Sequence, residues 1–245
     1  MYDPYYSHGF LVPLISGYII FRKREYLIEI EENPSNIGLI FLTSGLLFHA
    51  VGLFWTVRFL GAFSLIVVIV GLIILIYGTD FMKYLSFPIL FLVFMVPIPL
   101  SYIISVELQT FSSIIATHLV NALGIPAVNV GAEIHLESCS FLVGAPCSGL
   151  RSIISLLALS TIYAYVLEGR MYMKVLLVIS AVPIAIFANI LRISSILIIA
   201  DIYGSEAAMS FFHYFSGLLL FGASLLLLLI VGRCFGRLRL REEIF

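Results

Sequence analysis

Apolar residues run along this chain in long continuous stretches of Leu, Ile, Val and Phe, broken by short polar intervals. Strands of a membrane barrel would read as short alternating segments instead. A hydrocarbon core about 30 Å thick takes roughly 20 apolar residues as a helix. The pattern predicts seven hydrophobic segments: Gly9–Phe21 (short), Ile37–Val57, Phe59–Tyr77, Tyr84–Ile104, Cys147–Leu167, Lys174–Ala200 and Phe212–Val231. Pro97-Ile98-Pro99 is expected to kink or end the fourth. The interval Ser105–Pro146 is more polar. Within it, Glu107–Val120 sets apolar residues at helical spacing among Gln109, Ser112, Ser113 and His118, which predicts a helix along the outer interface. NVGAEIHLESCSFLV then alternates polar and apolar, as a short strand or hairpin does, with Glu133, His135, Glu137 and Cys139 on one face. The expected fold is all-α: a multi-pass transmembrane helical bundle with an outer-face interfacial segment, forming a single membrane-embedded domain over residues 1–245.

Composition agrees. The chain is 62% hydrophobic and 11% charged, with a mean hydropathy of +1.14, too little charge for a soluble domain of this length. A net charge of −1 says nothing about nucleic acid, and no basic patch suggests it, so no nucleic-acid partner is expected. No cleavable signal peptide, internal repeat or low-complexity tract is read. Three irregularly spaced cysteines define neither a disulfide framework nor a zinc pattern, and no cofactor or metal is expected.

Lys and Arg in short loops mark the cytoplasmic side. Arg22, Lys23 and Arg24 follow the first segment, and Lys83 lies between the third and fourth. Arg170 and Lys174 lie between the fifth and sixth, and Arg233, Arg237, Arg239 and Arg241 follow the seventh. With alternating segments these places share one side, and the other side has only Arg58 in a loop. The N-terminus, Ser105–Pro146 and the Asp201–Phe211 loop are therefore expected outside the plasma membrane. Cys147 then opens the fifth segment and His213 the seventh, while Arg192 sits roughly 10 Å below the outer end of the sixth. Separate helices are expected to bring these side chains to one outward-facing cavity.

Arg192 carries the chemical argument. A guanidinium keeps its proton, and at mid-membrane an Arg costs roughly 2.5–3.5 kcal/mol, so such a residue usually serves a site. Cys147, in GAPCSGLRS, follows Pro146 and is expected to open a helix whose N–H groups favour a thiolate. Ser148 and Gly149 would allow close approach of a substrate backbone. Arg192 would favour the thiolate or bind an oxyanion, and His213 would exchange protons with thiol and leaving amine. Together they make a kit for acyl transfer through a thioester.

Plainer readings stand beside each residue. Cys147 is equally compatible with an inert small hydrophobe, or with a disulfide to Cys139 that would block catalysis. Arg192 is compatible with a bridge to carbonyls or to Asp201, and His213 with a solvated helix end. Arg151, one turn after Cys147, either tunes the thiol or pairs with Glu133 or Glu137. Glu133, His135 and Glu137 fit a metal site less well than a solvated strand face.

The motifs together resemble the exosortase/archaeosortase family of membrane-embedded processing enzymes. DPYYSHGFLVPLISGYIIFRKR (Asp3–Arg24) is similar to the family's Ser-His-Gly segment and basic loop, and Pro97-Ile98-Pro99 to its Pro-x-Pro. GAPCSGLRS (Gly144–Ser152) is similar to its Cys-Ser-Gly signature, ANILRI (Ala188–Ile193) to its Asn-x-x-Arg signature, and FFHYFSG (Phe211–Gly217) to its third position. The order and spacing of all five make the resemblance specific, and it covers nearly the whole chain. With no appended soluble domain read, it leans toward the archaeal branch.

The resemblance implies Cys147 as nucleophile, Arg192 as second essential residue and His213 at the third site. It implies secreted protein substrates bearing a C-terminal tripartite signal: a short motif, a hydrophobic helix and a basic tail. The signal would be cleaved and the protein transferred to a lipid or another surface acceptor. Asn189 would orient Arg192 or bind substrate backbone, and His8 would help roof the cavity. Two other functions fit the composition. An anion-handling transporter or channel would use Arg192 along its pathway, although the paired repeats with broken helices common in transporters are not read. A structural or assembly membrane protein would use the polar residues only to join helices.

Overall fold

A computed structural model describes residues 9–97, 99, 101–144, 147–211 and 216–235, with Phe211 and Phe235 as backbone only. The chain divides after Pro99 into two compact units. Among the described residues, five helices are long and apolar enough to cross a membrane, and Leu11–Arg22 and Leu150–Val166 are shorter apolar helices. This is the multi-pass helical bundle that the hydrophobic pattern predicts.

The first unit holds α1 (Leu11–Arg22), α2 (Arg24–Ile28), α3 (Ile37–Phe54), α4 (Arg58–Ile76) and α5 (Thr79–Phe91), which tightens into a 3-10 turn at Leu92–Met95. Helices in lipid gain little from hydrophobic burial and associate through close packing of small residues. The α3–α4 pair follows that rule, because the buried residues of α3 are Gly38, Gly45 and Gly52. Gly71 of α4 closes the contact: a Cβ there would lie 2.6 Å from the Leu42 nitrogen. Gly71→Leu is therefore expected to destabilise the pair by about 1–3 kcal/mol through overpacking. Thermal unfolding in detergent, followed by helical circular dichroism, checks this; an unchanged midpoint contradicts it.

Pro88 lies inside α5. Its ring removes the N–H that would bond the carbonyl four residues back. That carbonyl, of Tyr84, instead accepts a hydrogen bond from Lys23 Nζ at 3.0 Å, and the Ser16 hydroxyl donates to the Pro88 carbonyl. These two bonds tie α1 to α5.

The second unit starts with α6 (Ser101–Ala122), followed by β1 (Ala127–Val130), β2 (Glu133–Leu136) and β3 (Ser140–Leu142). Then come α7 (Leu150–Val166), α8 (Met171–Tyr203), α9 (Ser205–Phe211) and α10 (Gly217–Phe235). The strands form an antiparallel sheet in the order β1-β2-β3, with Val128 opposite His135 and Ile134 opposite Phe141. Ile134 and Leu136 turn inward onto Ala116, Val120, Ile193 and Leu197. The Asn121 side chain clamps the first strand, donating to the Ala127 carbonyl at 3.0 Å and accepting its N–H at 2.8 Å. Ser113 Oγ donates to the Gly131 carbonyl at 2.8 Å and pins the β1–β2 turn to α6.

Two expectations change here. Residues 101–122 form one helix long and apolar enough to cross a membrane, where the pattern predicts the fourth segment running to Ile104 and a helix over Glu107–Val120 on the outer interface. The prolines end the earlier helix, so the next starts at Ser101. Its polar side chains Ser105, Ser112, Ser113 and Thr117 are buried in the bundle instead of facing water. The hairpin is present with a third strand, but Glu137 and Cys139 fall beyond β2 in the turn, so they do not share the face of Glu133 and His135. Cys139 packs against the core.

Candidate active site

Four helices set the frame. Asn189 of α8 meets Ser112 of α6, and farther along both helices Ala116 and Val120 join Ile193 and Leu197 in one core. Hence α6 and α8 run parallel, and their C-terminal ends carry the sheet. Arg192 of α8 meets Ser216 at the start of α10, and Gly232 near the end of α10 packs on Tyr163 near the end of α7. So α7 and α10 run together, opposite to α8. The start of α7, the start of α10 and the C-terminal half of α8 thus meet at one end of the unit. The alternating scheme requires this arrangement.

Cys147 lies just before α7, with its N–H bonded to the Gly144 carbonyl at 2.8 Å. The helix itself begins at Leu150, after Gly149 at φ 78°, so Cys147 does not open it as expected. Ser148 is buried, and its hydroxyl accepts the Leu150 N–H at 3.3 Å. It thereby takes up one of the first N–H groups of α7, beside the N-cap Gly149. Gly149 is needed for its left-handed conformation and for space, since a Cβ there would sit 3.0 Å from the Asn189 side chain.

Asn189 is buried, and its described hydrogen bonds run to the Cys147 turn and to α6. Its amide donates to the Cys147 carbonyl at 2.7 Å and to Ser112 Oγ at 3.3 Å. It therefore fixes the backbone of the thiol-bearing turn to α6 and α8. Asn189→Ala strips that carbonyl of its donor and is expected to cost about 1–3 kcal/mol. Thermal unfolding of the detergent-solubilised protein measures it, and wild-type stability would contradict it.

Arg192 is half-buried, and its Nε donates to Ser216 Oγ at 3.0 Å. Its electrostatic neighbours include Cys147 and Arg151. A small polar cleft of about 30 Å³ adjoins it, shared with Ser152, Asn189, Ser216 and Ser224. Arg151 is exposed and makes no ion pair with Glu133 or Glu137 among the described residues; Glu133 faces His135 at 3.9 Å. All three cysteines are free, so Cys139 and Cys147 are not bridged. His213 and His8 lie outside the described residues.

Burial raises the Cys147 thiol above its ordinary range, and the Arg192 guanidinium opposes that with a smaller effect. Burial is the larger of the two effects, whereas a helix start at the sulfur would have favoured a thiolate. Such a thiol needs a base at the moment of attack.

The sequence reading did not find Ser112 or Ser216 as partners of the site. The signal available was periodicity: Ser105 and Ser112, seven apart on α6, are both buried. Ser216 carries none beyond its place three residues after His213.

This unit sets a cysteine, an arginine and the supporting Asn189 amide at one end of a helical bundle. The model of the transmembrane exosortases matches residues 1–230, and the chain belongs to that family of membrane transpeptidases. No curated protein and no solved structure matches it.

Proposed function

We propose that the protein is a cysteine transpeptidase of the plasma membrane that removes C-terminal tripartite sorting signals from secreted proteins and passes them to a lipid or other surface acceptor. The observation that carries this is the Cys147 turn, held by Asn189 within the electrostatic reach of Arg192. The Cys147 sulfur attacks the carbonyl carbon of the scissile peptide bond. The carbon–nitrogen bond breaks, the tail departs as an amine with the thiol's proton, and a thioester remains. An acceptor hydroxyl or amine then attacks the thioester carbon and restores the thiol.

Arg192 stabilises the negative oxygen of each tetrahedral intermediate. His213, which the resemblance sets at the third site, would carry the proton transfers by its imidazole chemistry. Arg151 adds positive charge at the mouth of the site. A tail helix entering sideways from lipid, its basic end toward the cytoplasm, would place its cleavage motif level with Cys147 if the start of α7 faces outside. Secreted proteins ending in an apolar helix and basic residues, expressed with the wild-type enzyme and with Cys147→Ser, test the proposal by mass spectrometry. Tail loss with the wild type alone is expected; an intact tail in both samples would overturn it.

A further inference from the structure

An apolar cavity of about 210 Å³ opens beside the thiol, with Cys147 in its wall. Ile134 and Phe141 of the sheet line one side, and Ile193, Ile196 and Leu197 of α8 the other. We infer that this cavity is a specificity pocket that takes an apolar side chain of the substrate on the retained side of the scissile bond. The inference rests on the transpeptidase reading and adds the chemistry of the residue recognised.

Size narrows the occupant. Pockets for drug-sized ligands hold about 300–1,000 Å³, so this one suits a single side chain better than a whole lipid. Direction chooses which side of the bond it serves. Ile193, Ile196 and Leu197 follow Arg192 toward the C-terminal end of α8, whereas the polar cleft with Asn189 and Ser152 lies toward its N-terminal end. In the proposed orientation the C-terminal end of α8 faces outside. The retained chain arrives from there, while the tail helix continues toward the cytoplasm. A side chain adjoining the attacked carbonyl, on the retained side, then reaches the apolar chamber. Among the described residues its walls offer no charged group to a carboxylate or an ammonium.

Chloromethyl ketones of N-acetyl-leucine, N-acetyl-alanine and N-acetyl-aspartate test this. Each alkylates a thiol through its methylene carbon and leaves its side chain one methylene farther from the sulfur than in an acyl-enzyme, still within reach of the cavity beside it. Labelling rates at Cys147 in the detergent-solubilised full chain are compared with those at Cys234, an exposed cysteine that corrects for intrinsic reactivity and for partition into detergent. The leucine probe is expected to outpace the aspartate probe at Cys147 by about 10–100-fold more than at Cys234. Ile196→Phe, which fills the cavity, should erase the preference for leucine over alanine at Cys147 while the helical circular dichroism and the labelling at Cys234 stay as in the wild type, a result that global misfolding would not give. Equal relative rates at both cysteines, or an unaltered preference in Ile196→Phe, would overturn the inference. Substrate capture without side-chain preference sinks this inference alone. Selective labelling with no capture of any secreted substrate sinks the transpeptidase reading, and the assigned occupant with it.

Discussion

Cys147→Ser is expected to reduce release of the tail by a factor on the order of 10⁴ or more, because loss of the nucleophile leaves only positioning and oxyanion binding behind. The fold should survive. Asn189 holds the main-chain carbonyl of residue 147, and its N–H bonds Gly144, so the side chain is not needed for the turn. Helical circular dichroism matching wild type, together with lost processing in a gel-shift or mass assay, checks the prediction. Processing by Cys147→Ser at even a tenth of the wild-type rate would remove the thiol from the chemistry.

Replacing Arg192 is the second large effect. Removing an oxyanion donor costs about 10²–10³-fold in turnover, and Arg192→Ala is expected in that range or beyond. A pH profile separates this role from a structural one. The Cys147 thiol is raised by burial and held back by Arg192. Without the guanidinium only burial acts, so the thiol titrates higher still. Alkylation of Cys147 at neutral pH should fall in Arg192→Ala and recover as pH rises. In the wild type the same curve should already lie above that of an ordinary cysteine. Arg192→Lys keeps the charge but loses the Nε bond to Ser216 and the planar fork. It should preserve more of the alkylation curve than of the turnover. An identical curve in wild type and Arg192→Ala would break the electrostatic link between the two residues.

Membrane class and helical architecture were legible because the apolar runs are long and nearly uncharged. The convergence of Cys147 and Arg192 was legible from the parity of basic loops, since alternating helices must bring the starts of α7 and α10 to the end of α8. What sequence alone misplaced depended on tertiary surroundings. The serines of α6 suggested an interfacial helix, since a polar face is ambiguous until its neighbour is known; here that neighbour is α8. Asn189, at a near-turn spacing from Arg192, suggested a partner on its own helix, yet it reaches across to the Cys147 carbonyl. The expectation of a thiolate followed from an assumed helix start at Cys147. The left-handed Gly149 moves that start to Leu150 and leaves the sulfur dominated by desolvation. The glycine stripe of α3 at Gly38, Gly45 and Gly52 is a packing seam that the apolar run conceals, because within such a run glycine looks like any other small residue.

The central claim is that the Cys147 sulfur becomes acylated by its substrate. Peptide mass spectrometry of the enzyme, purified under mild acid from cells making a tailed secreted protein, reads this directly. The account predicts a peptide containing Cys147 carrying the retained end of the substrate, sensitive to neutral hydroxylamine and missing from Cys147→Ala. A tail removed efficiently with that sulfur never modified, or an adduct on Cys139 instead, would contradict it.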